Sequence, residues 1–331
     1  MTRSSFDEIV RSCDLFINVS GANVIPDDLP QHCVKVFLDT DPGYNQIVLS
    51  EQPAWAEYVG RWRESVNAHD RHFTYAENIY GADCNVPRLD YNWVTTRMPI
   101  VTSLWDDDAR TAPSPGTPWT TVMSWNAFKG VLTYQGVEYR SKGAEFEKIV
   151  ALPKTTQVPL LLAVGGITSP FRWLARHGWE TAYRALSNLA QRNKFRQLQC
   201  YGWRVADGPS KTSAPEQYQE FIAQSRGEVS TAKNVYVAMR TGWFSSRSAC
   251  YLAAARPVVV QDTGFGKILR CGEGLIAFNT VDEAVGIEAD YARHSEAARA
   301  VAVEYFDSGK VLARFIDDAM ASDSTGRKHF A

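Results

Sequence analysis

Residues 233–265 read KNVYVAMRTGWFSSRSACYLAAARPVVVQDTGF, and the fold follows from how this stretch alternates between strand and helix. Residues 235–239 (VYVAM) are a short, β-rich apolar run of the kind that makes a buried parallel strand, closed by Thr241 and Gly242. A helix is expected next, capped by Ser245 and Ser246, with Ala249, Leu252 and Ala253 at helical spacing until Arg256-Pro257 stops it. Val258, Val259 and Val260 begin a second strand. Such a unit predicts an α/β fold with parallel sheets. The helix start gathers unpaired N–H groups and partial positive charge, so a phosphate or diphosphate is expected there, balanced by Arg240 and Arg247. The second strand leaves into Gln261, Asp262, Thr263 and Gly264, polar groups at the end of the sheet where open α/β folds bind ligands. A strand-helix-strand unit alone specifies no ligand. Here a helix cap, two arginines, the Trp243-Phe244 pair and a polar strand exit fall within one crossover.

The chain of 331 residues is long enough for two domains, each with its own core. Its 45% hydrophobic and 22% charged residues and net charge of -2 are those of an ordinary globular protein, with no bulk basic field for nucleic acid. Cys13, Cys33, Cys84, Cys200, Cys250 and Cys271 lack CxxC spacing and read as buried thiols in a reducing compartment. The first residues carry acids and no apolar signal core, and no run approaches the ~20 apolar residues of a membrane span, so a cytoplasmic location is expected.

In the first half, residues 6–10 read as a short helix, and 15–19, 34–38, 72–76 and 99–102 as strands. Residues 55–68 read as a helix with aromatics on one face. Asp39 and Asp41 end the second strand. Two close carboxylates at that end suit general base work, or else Asp39 caps the loop and Asp41-Pro42-Gly43 forms a turn. His69 and His72 lack a third ligand for a metal. Asp106, Asp107 and Asp108 followed by Pro113, Pro115 and Pro118 mark a linker over 106–118, between a first domain at 1–105 and a second at 119–312, with a tail at 313–331.

In the second domain, residues 120–125 are a strand with Ser124, Trp125 and Asn126 at its exit. Residues 159–164 are an apolar strand ending in Gly165 and Gly166, which let a ligand approach the backbone. A strand within 198–205 carries Trp203 and Arg204, and 275–278 is a last short strand. Helices are expected at 145–152, 181–198, 215–224 and 297–306, with a helical turn at 172–177. A further helix is expected from a capping box at Thr280 and Glu283. Arg184, Arg192, Lys194 and Arg196 form a local basic patch that suits an anionic acceptor or a solvated face.

Gly242, the Ser245, Ser246, Arg247, Ser248 run, the small-residue helix, Arg256-Pro257-Val258-Val259 and Gln261-Asp262 resemble the donor half of GT-B glycosyltransferases. More narrowly, the wording RTGWFSSRSACYLA, RPVVVQDTGF and GEGLIAF resembles a bacterial group described as glycosyltransferase-like, over residues 13–312. The resemblance implies two Rossmann-like domains, the first of them shortened and acceptor-binding. It also implies a nucleotide sugar as co-substrate, without a cofactor or bound metal. On this reading the donor site comprises Ser124, Trp125, Gly165, Gly166, Trp203, Arg204, Arg240, Gly242, Trp243, Ser245, Ser246, Arg247, Ser248, Gln261, Asp262, Thr263 and Gly264, and Asp39 or Asp41 is the base. The acceptor is open and includes large or anionic ones. Two alternatives stand beside transfer: a hydrolase or epimerase acting at a glycosidic carbon, and a non-catalytic binder of sugar nucleotides or glycosylated nucleic acid.

Overall fold

A computed structural model of the protein describes residues 3–50, 56–125, 132–167, 177–279 and 290–321. Asn126, most of the turn at 172–177, the capping box at Thr280 and Glu283 and the end of the tail lie outside the described residues.

The first lobe is a four-stranded parallel sheet, β1 (Leu15–Val19), β2 (Val34–Asp39), β3 (Arg71–Thr74) and β4 (Trp93–Thr95), in that order. The second begins with β5 (Trp119–Ser124), followed by an antiparallel hairpin of β6 (Leu132–Tyr134) and β7 (Val137–Tyr139). Then come β8 (Leu160–Gly165), β9 (Arg204–Asp207), β10 (Glu228–Ser230), β11 (Val258–Gln261) and β12 (Leu275–Phe278). The six long-range strands pair in parallel in the order β12-β11-β10-β5-β8-β9. Starting from β5, the chain builds outward through β8 and β9, then returns and builds the other way through β10, β11 and β12. The order therefore reverses between β5 and β10, and open sheets leave a crevice at such a point.

The stretch at 235–239 is not a strand. It lies in the helix Asn234–Ala238, followed by Met239. Val235, Tyr236 and Met239 are buried at 0%, 1% and 0% exposure, spaced as one face of a single helical turn, and they pack with Ile47, Leu49, Val59 and Ile79 of the first lobe. A short apolar run fits either period, and here packing against the first lobe decides. The strand position is taken instead by β10, whose sequence Glu-Val-Ser carries a carboxylate at 0% exposure.

Other differences lie where the lobes join. Residues 99–102 make only the bridge Ile100 to Asp307 and lead into a 3-10 turn, Thr102–Trp105. The acidic stretch Asp106–Arg110, expected to open the linker, is a helical turn tied to the second lobe. The buried Arg256 donates to the Asp108 and Thr111 carbonyls, Gln219 to Asp108, and Arg299 to Asp106. The helix expected at 297–306 is split into Tyr291–Val301 and a π-turn, Ala302–Phe306. The helix Ser308–Met320 runs through the point where the tail was expected, capped by the Asp307 side chain accepting from the Gly309 amide. It crosses back to the first lobe, and Phe315 packs on Phe73 of β3 in a tilted pair, 4.3 Å between ring centres, beside Val36 and Leu38. Burying one such phenylalanine contributes about 1.5–3 kcal/mol.

Candidate functional site

A cleft of ≈ 650 Å³ opens at the reversal between β5 and β10. Its walls come from the exit of β5 (Val122, Met123, Ser124), the exit of β10 (Thr231, Ala232, Lys233), Lys142, Trp243 and Arg247, with Thr212 to Pro215 and Tyr218 opposite. Three cations converge here from three elements. Lys142 opens the helix Lys142–Phe146, Lys233 follows β10, and Arg247 stands in the first turn of the helix Ser246–Ala253.

The two innermost cations share one floor. The Arg247 guanidinium donates to Glu228, to the Val122 carbonyl at 2.9 Å and to Ser230 Oγ at 3.0 Å. Ser230 Oγ also receives Lys142 Nζ at 3.1 Å and Thr121 Oγ1 at 2.9 Å. One hydroxyl oxygen has two lone pairs, so three donors exceed what it accepts at once. Around this floor Glu228 Oε2 and Thr231 Oγ1 are buried without a hydrogen-bond partner among the described residues. Burial first, and then the Arg247 guanidinium, drives the Lys142 ammonium well below its ordinary value; Glu228 pulls the other way and Lys233 adds to the fall. A cation that is costly to hold charged, beside more donors than Ser230 Oγ accepts and an unpartnered hydroxyl, is poised for an anion.

Of the residues expected from the sequence, Ser124, Trp243 and Arg247 line the cleft. Ser245 sits in extended conformation at the helix N-cap with no side-chain cap bond, Ser246 is exposed and Ser248 is buried. Gly242 has φ +78°, and an added Cβ would lie 2.7 Å from Asn78 Cβ in the first lobe, whose amide donates to the Thr241 carbonyl. Gly242→Ala is therefore expected to cost about 1–3 kcal/mol in strain and overpacking, read as a lowered unfolding midpoint.

Others serve the frame. Arg240 does not line the cleft; it is paired with Asp83 at 3.2 Å and Asp262 at 2.9 Å. Asp262 also accepts the amides of Gly264 and Gly266, and Gln261 Nε2 donates to Glu145, so neither side chain lines the cleft. Thr263 Oγ1 donates to the Trp243 carbonyl, and Gly264 turns the chain at φ +103°. Trp125 and Trp203 are buried around Phe146, with Trp203 Nε1 on the Val150 carbonyl; Arg204 is exposed on the edge strand β9. Gly166, at φ +70°, lies against Ser124, and Gly165 against Pro209. The Asp39 carboxylate is at 0% exposure and accepts from Asn45 Nδ2 at 2.6 Å, Gln46 Nε2 at 2.7 Å, Thr74 Oγ1 at 2.7 Å and the Asp41 amide at 3.1 Å. Burial pushes its pKa up while those four donors pull it down, and all its acceptor capacity goes to holding the loop after β2. Asp41 reaches the second lobe instead, bound by Lys233 Nζ at 2.6 Å and by the Tyr236 hydroxyl.

Lys142, Lys233, Glu228 and Thr231 escaped the sequence reading. A lysine beside Gly143 was the available signal for Lys142: a Cβ on that glycine would lie 2.6 Å from Trp125 Nε1, so backbone and tryptophan meet closely there. Among the described residues, no cluster of three or more His, Cys, Asp or Glu side chains is placed to hold a metal ion, and no helix is long and apolar enough to cross a membrane.

Solved structures share this architecture. Sucrose-phosphate synthase from Thermosynechococcus elongatus superposes with a TM-score of 0.54 over 96% of this chain and 79% of its own, at 13% identity. The HepE protein of Anabaena, solved with UDP and glucose, gives 0.53 over 96% and 81% at 10% identity. An alpha-glucosyltransferase solved with UDP and a 13-mer DNA gives 0.52 over 96% and 82% at 11% identity. The fold is that of the GT-B glycosyltransferases. No family model and no curated protein matches the chain. In this GT-B frame the cationic cleft belongs to the second Rossmann-like lobe and opens toward the loop after β2 of the first, through the contact of Lys233 with Asp41.

Proposed function

We propose that the protein is a glycosyltransferase that moves a sugar from a nucleotide-sugar donor, held in the cleft by its diphosphate, to an acceptor hydroxyl presented from the first lobe. The observation that carries this reading is the convergence of Lys142, Lys233 and Arg247 at the reversal point of the second sheet. Unit charges about 4 Å apart interact with about 4 kcal/mol near a protein surface. Stabilising the charge that grows on a departing diphosphate is therefore the main chemical service this cleft offers. Its volume lies within the range of small-molecule sites, roughly 300–1,000 Å³. UDP accompanies two of the structures with the same fold, which makes UDP-sugars the first donors to try.

Among the described residues, those lining the cleft include no carboxylate and no imidazole. Of the two aspartates considered as base, Asp41 is the one with solvent access, and it would take an acceptor proton only after leaving Lys233 and Tyr236. The same observation favours a second reading, capture of nucleotide sugars without turnover. Incubation with a panel of UDP-, GDP-, ADP- and dTDP-sugars, followed by assay of free nucleoside diphosphate, is expected to show release that rises with the right acceptor. Binding by calorimetry without release would establish the second reading, and neither binding nor release with any donor would defeat both.

A further inference from the structure

Lys233 belongs to two structures at once. It lines the cleft, and its ammonium lies 2.6 Å from Asp41 Oδ2 in the loop after β2 of the other lobe. The second oxygen of Asp41 takes the Tyr236 hydroxyl, and the Tyr236 ring packs on Trp243, another cleft residue, at 4.3 Å between centres. The Asp41 loop is itself pinned, because Asp39 accepts its amide and the Asn45 amide donates to its carbonyl. Lys233 and Asp41 keep 21% and 31% exposure, so their pairing is open to competition from an anion arriving through solvent.

We propose that Asp41 and an anionic ligand in the cleft compete for Lys233, so that filling the cleft slackens the tie between the two lobes at the loop after β2. The inference rests on the reading of the cleft as a diphosphate site. Coupling of this kind is reciprocal: whatever the ligand takes from the Asp41 contact, the Asp41 contact takes from ligand affinity. Asp41 is thus a positioning residue that acts through Lys233. Removing its charge both releases the ammonium from this carboxylate and deletes a like charge beside the ligand.

The test titrates UDP, GDP and ADP by calorimetry into the wild-type protein, Asp41→Asn, Asp41→Glu, Lys233→Met and the double variant Asp41→Asn/Lys233→Met. Asp41→Asn is expected to bind the preferred diphosphate about tenfold more tightly, the size of effect that 1.4 kcal/mol gives. Asp41→Glu should return to wild-type affinity, and the double variant should lose the gain. Damage to structure would weaken binding, so tightening reports the competition itself. No binding by the wild-type protein removes the diphosphate reading and this inference together. Wild-type binding with Asp41→Asn equal or weaker removes this inference alone, as does a gain that survives in the Lys233→Met background. Should Asp41→Asn not fold, hydrogen exchange of wild-type amides 39–45 decides: faster exchange with saturating diphosphate supports the competition, and unchanged or slower exchange overturns it.

Discussion

Arg247→Ala is expected to lower the stability of the second lobe by about 3–5 kcal/mol, the usual cost of stripping one partner from a buried ion pair. The carboxylate left behind, Glu228, is at 0% exposure at the start of β10, and its Oε2 already lacks a hydrogen-bond partner among the described residues. The same truncation removes donors from the Val122 carbonyl and Ser230 Oγ, the links between β5, β10 and the helix Ser246–Ala253. At about 2–4 °C per kcal/mol for a unit of this size, the unfolding midpoint should fall by roughly 6–20 °C. The double change Glu228→Gln/Arg247→Met withdraws both charges and should recover most of the loss. A drop of under about 1 kcal/mol in the single variant would show that Glu228 finds another cation, Lys142 being the near one.

Lys142→Met should separate folding from binding. Met matches the length of the stem but carries no charge, so nucleoside diphosphate affinity should fall about 100-fold, which corresponds to about 2.7 kcal/mol. Over the same change the protein should become more stable at neutral pH, by roughly 1–3 kcal/mol, because a buried amine that folding holds well below its ordinary pKa has gone. The pH dependence carries a definite sign. Lys142 has a folded pKa below its unfolded value, so above the folded pKa the unfolded chain holds the extra proton. Wild-type stability should therefore rise with pH from the depressed folded pKa up to about 10.4, and the advantage of Lys142→Met should shrink over that window. Diphosphate binding restores the charge, so the wild-type protein should take up a proton on binding and bind less tightly as pH climbs. Calorimetry in buffers of different ionisation heat reads that uptake; a signal equal in Lys142→Met would assign it elsewhere.

The sequence made the architecture legible wherever a strand is uniformly apolar. β8 (LLLAVG), β12 (LIAF) and the valines of β11 are such runs, β5 (WTTVMS) reads as a strand despite its Thr and Ser, and Arg256-Pro257 marks the boundary before β11 without ambiguity. It misled where polarity and burial part company. Glu228 to Ser230 is a central strand whose Glu228 Oε1 and Ser230 Oγ are bonded across elements by Arg247, Lys142 and Thr121, and no local pattern announces that. The apolar residues 235–239 looked like the missing strand because their true partners belong to the other lobe. Local chemistry found Arg247 and Trp243, which stand on the helix and turn next to the cleft. It could not separate Arg240 from Arg247: one guanidinium turns toward Asp83 and Asp262, the other toward Glu228, and that difference lies in the tertiary surroundings of each.

The return of the helix Ser308–Met320 to the first sheet makes the first lobe discontinuous in the chain. During synthesis Val36, Leu38 and Phe73 emerge early, yet the side chain that covers them, Phe315, arrives only after the whole second lobe has been made. At about 5–20 residues per second that interval is on the order of tens of seconds. The nascent first sheet must wait with one greasy face uncovered, so a ribosome that stalls before Phe315 leaves behind a sticky half-protein with no means of finishing itself.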